Sequence, residues 1–176
     1  MKITPLLLLV LLVLIILNST QIIYLNIFTH SVPSGIYIRI RGVPQKGEFA
    51  ASCLTPEIAR YGIDRTYLAK GNCFTGTVPV LKVIKGILGD RFVVKDRFLE
   101  INGYSYLIID RDSSARALKV FYTQKKGILG RGEYILLSDF VKNSWDSRYW
   151  GPVSIQFLLK PLWIFENVKQ SQISHP

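Results

Sequence analysis

An apolar run close to the amino terminus is the feature that most constrains this chain. It extends from Leu6 to Leu17, is interrupted by polar residues 18–21, and resumes as far as Phe28. The uninterrupted core of 12 residues suits the apolar part of a cleavable leader, whereas a membrane-spanning helix requires about 20 residues. Because no Ala-x-Ala-like site follows, we expect a retained anchor from about Ile3 to Leu25 rather than a cleaved leader.

The charges around this segment predict its orientation. Lys2 and the amino terminus are the only positive charges before it, and the next Lys or Arg is Arg39. Basic residues are retained on the cytoplasmic side of a membrane segment. We therefore expect the amino terminus in the cytoplasm and the rest of the chain on the other side of the membrane.

The basic character of the chain has two interpretations. The net charge is +10, with 22 Lys and Arg against 12 Asp and Glu. These residues are scattered, with no basic run longer than Lys125–Lys126 and no nucleic-acid-binding motif. We therefore expect a basic surface beside anionic lipid, and no direct contact with nucleic acid.

The residues after the anchor predict a mainly β domain. Short segments rich in β-branched and aromatic residues alternate with glycine-containing turns. We predict strands at Gly35–Gly42, Val78–Ile84, Arg91–Val94, Phe98–Asn102, Tyr106–Asp110, Ala117–Tyr122, Tyr134–Ser138 and Val153–Phe157. The apolar run 155–165 is too short to cross a bilayer and is typical of a strand or a surface segment near lipid.

The same pattern predicts the domain limits. We assign residues 1–28 to the anchor, 29–166 to one extracytoplasmic domain and 167–176 to a polar tail. An insertion around residues 50–75 interrupts the strands, and its part from 55 to 70 lacks alternation and suits a short helix.

Two cysteines, Cys53 and Cys73, lie in this insertion. Outside the cytoplasm they are candidates for a disulfide, which would contribute roughly 3 kcal/mol by constraining the unfolded chain. Two buried free thiols are the alternative. The sequence does not decide between them.

The scarcity of histidine excludes several kinds of chemistry. The chain has only His30 and His175, the first adjacent to Ser31 and the second close to the carboxyl terminus. Neighbouring side chains on an extended segment point in opposite directions, so His30 is badly placed as a base for Ser31. Two histidines and two distant cysteines fit no common zinc pattern, and no phosphate-binding glycine motif is present. We predict neither a metal nor a cofactor.

A lysine can replace histidine as a general base when burial lowers its pKa toward neutrality. The segment 78–85 offers two candidates: Lys82 shares a strand face with Val80 and Ile84, and Lys85 points to the opposite face. Alternation alone does not choose between them. Both lysines are also compatible with an edge strand on which they reach into water.

Three ordered segments resemble the conserved boxes of type I signal peptidases. Ser31–Tyr37, directly after the membrane segment, resembles their nucleophile box. Lys82–Asp90 resembles the lysine box K-R-x-x-G-x-x-G-D and matches its first lysine, both glycines and the aspartate. Ser144–Pro152 is similar to the box S-x-D-S-R-x-[FY]-G-P.

The resemblance implies a coiled antiparallel sheet or β-barrel of the signal-peptidase kind, with an N-terminal transmembrane helix. It implies that Ser31 is the nucleophile and that Lys82, the first lysine of its segment, is the general base. Ser144 would orient the lysine amine, and Asp146 and Arg148 would form a supporting ion pair. The Ser31 backbone N–H would be one oxyanion donor.

The details favour one branch of that family. Pro33 and Gly35 after the serine, together with the cysteine-bearing insertion, resemble TraF-type conjugative-transfer peptidases. That resemblance implies a protein of the bacterial inner membrane, with one span and a periplasmic catalytic domain. Its partners would be a pilin precursor, the bilayer and proteins of the conjugative apparatus, and its product a cleaved or cyclised pilin.

Some positions depart from the family pattern. Val83 replaces the arginine of the lysine box, Leu88 replaces a usual proline, and the G-D-N of ordinary leader peptidases is missing around Asp139. These departures leave the serine and lysine in place. The alternatives are a general signal peptidase that acts on secreted proteins and a non-catalytic pilus-assembly protein with the same fold.

Overall fold

The computed structural model describes residues 5, 7–9, 12, 22–27, 29–122 and 124–165. Residues 22–165 form a mainly β structure with antiparallel sheets, as predicted. Its strands are β1 (Ile23–Asn26), β2 (Gly35–Ile40), β3 (Phe49–Ser52), β4 (Val80–Gly86), β5 (Arg91–Lys95), β6 (Phe98–Ile101), β7 (Tyr104–Leu107), β8 (Lys126–Ile128), β9 (Ile135–Leu137) and β10 (Phe157–Ile164). Two helices, α1 (Pro56–Asp64) and α2 (Ser147–Trp150), lie in the connections.

The larger sheet has the strand order β1-β2-β10-β3-β4-β9, with antiparallel neighbours throughout. Period-two alternation in β2 directs Tyr37 into the core, where it is 0% exposed. The long strand β10 pairs with both β2 and β3, and its register shifts next to Pro161, which has no N–H for the ladder. The catalytic candidates lie on β4 and on the loop between β1 and β2.

The smaller sheet has the order β7-β6-β5-β8. Its hairpin between β6 and β7 turns at Asn102 and Gly103, whose φ angles are 47° and 89°. An Asn-Gly pair suits this two-residue turn because both positions require positive φ. Apolar side chains of this sheet pack with those of α1 and α2 into one core cluster.

The insertion that precedes β4 folds over this core. Helix α1 begins at Pro56, a residue that suits the first turn because its missing N–H would have no partner there. A side chain at Gly62 would place its Cβ 2.7 Å from Leu68 Cδ1, so glycine permits this close packing. Cys53 and Cys73 are joined by a disulfide, with Cα atoms 5.6 Å apart. The structure thus has the disulfide rather than free thiols.

Three predicted strands require correction. The segment 117–122 is not a strand, because Lys119 N donates to the Tyr61 hydroxyl and Phe121 N to the Tyr149 carbonyl instead of to a sheet neighbour. Residues 153–156 form a single bridge, Tyr134 to Val153, before β10 begins. The strand predicted at Tyr106–Asp110 begins and ends earlier, at Tyr104–Leu107, because it continues the tight hairpin from β6.

Strand β1 lies within the range assigned to the anchor, 1–28. It pairs with β2, and the Tyr24 ring packs 5.0 Å from that of Phe157, centroid to centroid. An anchor helix that continues to Leu25 is therefore wrong, because these residues hydrogen-bond as the edge of a sheet. Most of residues 1–21, and the predicted tail 167–176, lie outside the described residues. Among those described, no helix has the length and apolar character that a bilayer crossing needs.

Candidate active site

Ser31, Lys82 and Ser144 meet at one point although they are far apart in sequence. Lys82 Nζ lies 2.5 Å from Ser31 Oγ and 2.9 Å from Ser144 Oγ. The three residues belong to different elements: the β1–β2 loop, the middle of β4, and the segment between β9 and α2. The amine is thus within proton-transfer distance of one hydroxyl while a second hydroxyl holds it from another side.

The sheet buries Lys82 because β4 is an interior strand. It pairs with β3 on one side and with β9 on the other, and Lys82 lies opposite the small side chain of Ala50. Lys82 is only 6% exposed. Burial is the largest effect on its pKa, which falls from 10.5 to about 8; nearby Asp146 raises the pKa and Arg148 lowers it further. At pH 7 most of this amine is protonated, but roughly one-tenth of it is neutral, far more than for an exposed lysine.

Lys85 has a different environment on the other face of β4. Its Nζ lies 2.7 Å from an Asp139 carboxylate oxygen, and both side chains are about one-fifth exposed. This lysine makes a partly solvated ion pair of the kind expected for a surface residue. Of the two lysines that alternation left open, only Lys82 contacts Ser31.

Asp146 and Arg148 form a buried ion pair beside this cluster. Arg148 Nε and Nη2 donate to the two carboxylate oxygens of Asp146, each at 2.8 Å, and Asp146 is 0% exposed. Arg148 also donates to the carbonyls of Leu107, Lys142 and Ser144, at 3.0, 2.7 and 2.9 Å. The pair therefore fixes the backbone of the segment that carries Ser144.

The glycine and aspartate positions of the lysine box shape the backbone rather than the reaction site. Asp90 accepts from Ile87 N at 2.9 Å and pairs with Lys46 at 2.8 Å. Gly89 has φ of 86°, which favours glycine. These contacts define the turn after β4, and β4 in turn determines where Lys82 lies.

A cleft of about 360 Å³ opens over the serine and lysine. The exposed His30 lies at its rim, next to Ser31. The insertion contributes one wall, with further side chains from other segments; the wall includes Tyr67, Leu68, Leu118 and Trp145. Because this wall presents mainly apolar groups above a reactive hydroxyl, the cleft suits an extended peptide with apolar side chains.

Two residues that hold the serine loop were missed in the sequence. Asn26 lies at the end of β1, within the range assigned from the sequence to the membrane anchor. Ser138 lies just after β9. The Ser138 hydroxyl donates to the Ser31 carbonyl at 2.7 Å. The sequence signal that could have identified Asn26 is a polar residue between two apolar neighbours. His175 lies outside the described residues, and no metal-binding cluster of His, Cys, Asp or Glu occurs among those described.

Comparison with known proteins assigns this chain to a family. The chain matches the family "Signal peptidase, peptidase S26" over residues 2–159, and it belongs to that family of serine peptidases. Within it, the chain is of the TraF type. It is 31% identical over 132 residues to a plasmid transfer protein TraF of Escherichia coli, covering 72% of this chain and 73% of that protein.

Further relatives carry related names. A second plasmid transfer protein TraF of Escherichia coli is 28% identical over 142 residues, which cover 76% of this chain and 79% of the relative. A conjugal transfer protein TraF of Agrobacterium tumefaciens is 31% identical over 104 residues, covering 57% of this chain and 58% of the relative. The names associate this group of proteins with conjugative transfer.

Proposed function

We propose that this chain is a membrane-bound serine endopeptidase that processes a pilin precursor for a conjugative DNA-transfer system. Ser31 is the nucleophile and Lys82 the general base. The observation that carries this proposal is a lysine amine that is 6% exposed and 2.5 Å from a serine hydroxyl, in a cleft open to a peptide. Burial gives that amine a pKa suited to accepting a proton.

The reaction proceeds by acyl transfer. Neutral Lys82 accepts the Ser31 hydroxyl proton as Oγ attacks the scissile carbonyl, and the protonated amine then gives a proton to the departing amine of the peptide. The acyl-enzyme is resolved by water, activated by Lys82, which gives an open chain. Attack by an amino group of the same substrate gives a cyclic product instead.

The surroundings of the pair support these roles. Ser144 holds the lysine amine at 2.9 Å and so limits its rotation, and the Asp146–Arg148 ion pair fixes the Ser144 backbone. The Ser31 backbone N–H would be one donor to the oxyanion of the tetrahedral intermediate.

The names of the relatives and the local structure support the cellular role. Conjugal and plasmid transfer proteins as relatives favour a pilin over a general secreted protein as substrate. The disulfide between Cys53 and Cys73 suits the oxidising periplasm. The apolar segment from about Ile3 to the start of β1, within the range 1–28, would form the single anchor in the inner membrane. The domain 29–166 would then form the periplasmic coiled sheet of signal peptidases, followed by the tail 167–176.

Cleavage of two precursors by the full-length protein in membranes tests this proposal. One is a conjugative pilin precursor and the other a secreted preprotein with an Ala-x-Ala site. We expect the pilin to be cleaved by the wild type and by Lys85→Ala, but not by Ser31→Ala or Lys82→Ala. Mass spectrometry of the product distinguishes an open chain from a cyclic product, whose mass is lower than that of the open chain by one water molecule.

The other outcomes have definite meanings. Retained cleavage in Ser31→Ala or Lys82→Ala would refute the assignment of the two catalytic residues. Cleavage of the secreted preprotein alone would indicate a general signal peptidase. If folded wild-type protein cleaves neither precursor but associates with pilus-assembly proteins, the chain is a non-catalytic assembly protein.

A further inference from the structure

A single asparagine side chain fills the loop that carries Ser31. Asn26 is the last residue of β1 and lies opposite Gly35, the first residue of β2. The chain between them leaves the sheet, and Ser31 lies on this excursion. Asn26 is only 8% exposed, so its amide group faces the inside of the loop rather than solvent.

The Asn26 amide group makes contacts throughout this loop. Its Nδ2 donates to the carbonyls of Thr29 at 3.0 Å, Val32 at 3.1 Å and Pro33 at 3.2 Å. Its Oδ1 accepts a hydrogen bond from the Thr29 hydroxyl at 2.9 Å. Backbone carbonyls that have left a sheet need new partners when they are buried. The Asn26 side chain supplies a partner to three carbonyls of this loop, of which the bond to Val32 is buried.

These contacts, together with one from Ser138, hold the chain before and after Ser31. A trans peptide is planar, with its C=O and N–H pointing in opposite directions. The Thr29 carbonyl is held by Asn26, and the Ser31 carbonyl is held by the Ser138 hydroxyl at 2.7 Å. The peptide that bears the Ser31 N–H lies between these two fixed units. The chain on either side of this peptide is therefore held in place.

We infer that Asn26 is a positioning residue for the peptidase reaction, acting through the Ser31 loop. It holds the loop in the conformation that places Ser31 Oγ next to Lys82. This role rests on the proposed function, because it presupposes that Ser31 attacks a carbonyl. It adds a residue that has no counterpart among the three boxes that resemble signal peptidases.

Kinetics distinguish positioning from a contribution to stability alone. Asn26→Ala removes all four contacts, whereas Asn26→Asp keeps the shape and the acceptor for Thr29 but loses the donor to the three carbonyls. A displacement of a reacting group by about 1 Å can cost about 100-fold in rate. We expect kcat to fall about 100-fold in both variants, with KM unchanged in both and the pH midpoint set by Lys82 unchanged in Asn26→Ala.

A matched control is available at the other sheet. Asn102 also holds a turn with its side chain, accepting from Arg91 N at 2.9 Å and donating to Asp90 at 2.5 Å. Glycine tolerates its positive φ of 47°. We expect Asn102→Gly to lower the melting temperature and to leave kcat unchanged, because Asn102 lies outside the cleft and Asp90 keeps its contacts with Ile87 N and Lys46.

The experiment measures cleavage of the pilin precursor by full-length proteins in detergent, with melting temperatures recorded in parallel. If either Asn26 variant is folded at the assay temperature and keeps kcat within threefold of wild type, the inference is wrong. It is also wrong if kcat falls only in proportion to the unfolded fraction, or if KM rises by the same factor as kcat falls. If wild type and Ser31→Ala behave identically, the proposed function itself fails.

Discussion

The buried amine of Lys82 allows the proposed chemistry to be tested through protein stability, with the variant Lys82→Met. In the unfolded chain the pKa is close to 10.5, and in the folded protein burial lowers the pKa to about 8. The difference of about 2.5 pKa units corresponds to roughly 3 kcal/mol. At pH 7 the amine is mostly protonated in both states. The folded protein is therefore destabilised by almost the whole free energy of burying the protonated amine.

The direction of the pH dependence follows from proton binding. Between about pH 8 and pH 10.5 the unfolded chain binds a proton that the folded protein has released, so the free energy of unfolding rises with pH. Above this window the cost is absent. Methionine has a similar volume and cannot be protonated, so Lys82→Met removes the pH-dependent contribution. The lost contacts to Ser31 and Ser144 cost about 1 kcal/mol.

We therefore expect Lys82→Met to be inactive but more stable than wild type by roughly 2 kcal/mol at pH 7. The advantage should disappear by about pH 10.5. Denaturant unfolding of both proteins at a series of pH values measures it. Lys85→Met is the control, because its surface ion pair with Asp139 contributes at most about 1 kcal/mol. An advantage of Lys82→Met that does not change with pH, or no advantage at pH 7, would refute the buried-amine reasoning.

Three further predictions follow from the same contacts. First, kcat/KM should rise about fivefold from pH 7 to pH 8, following neutral Lys82 with its pKa of about 8; a flat profile in precursor cleavage would contradict this. Second, the double variant Cys53→Ser/Cys73→Ser should lose roughly 3 kcal/mol of stability in urea unfolding, and unchanged stability would show that the disulfide constrains little. Third, Arg148→Met should lose roughly 3–5 kcal/mol because it leaves Asp146 buried and unpaired. A change below about 1 kcal/mol in thermal unfolding would be incompatible with that buried pair.

The sequence predicted the mainly β fold and which residues share a face of β4. Its alternation correctly placed Lys82 with Val80 and Ile84, and Lys85 on the opposite face. It did not reveal which lysine is buried, because apolar residues occur on both faces of the strand. That distinction comes from the neighbours β3 and β9, which are distant in sequence. Only the resemblance to the lysine box selected the lysine that the structure places next to Ser31.

Three other features could not be predicted from the local sequence: the start of β1, the contacts of Asn26 and the structure of the segment 117–122. Ile23, Tyr24 and Leu25 of β1 continue the hydrophobic character of the predicted anchor before them, so hydropathy alone does not distinguish strand from anchor. The contacts of Asn26 depend on the loop folding back over its side chain, which no spacing in the sequence indicates. The segment 117–122 has strand-like composition, but the backbone N–H groups of Lys119 and Phe121 donate to α1 and α2 rather than to a sheet neighbour.

The glycines and the aspartate of the lysine box determine how β4 packs, and the packing of β4 determines which of its lysines faces Ser31. Gly86 lies at a register shift between β4 and β9, where a Cβ would be 2.8 Å from Leu129 Cδ1 and 3.1 Å from the Ile135 Cβ. Asp90 then closes the following turn. Together they fix how β4 lies against β9, and hence which of its faces reaches the serine loop. A lysine on the other face of the same strand has no route to Ser31, however similar its local sequence.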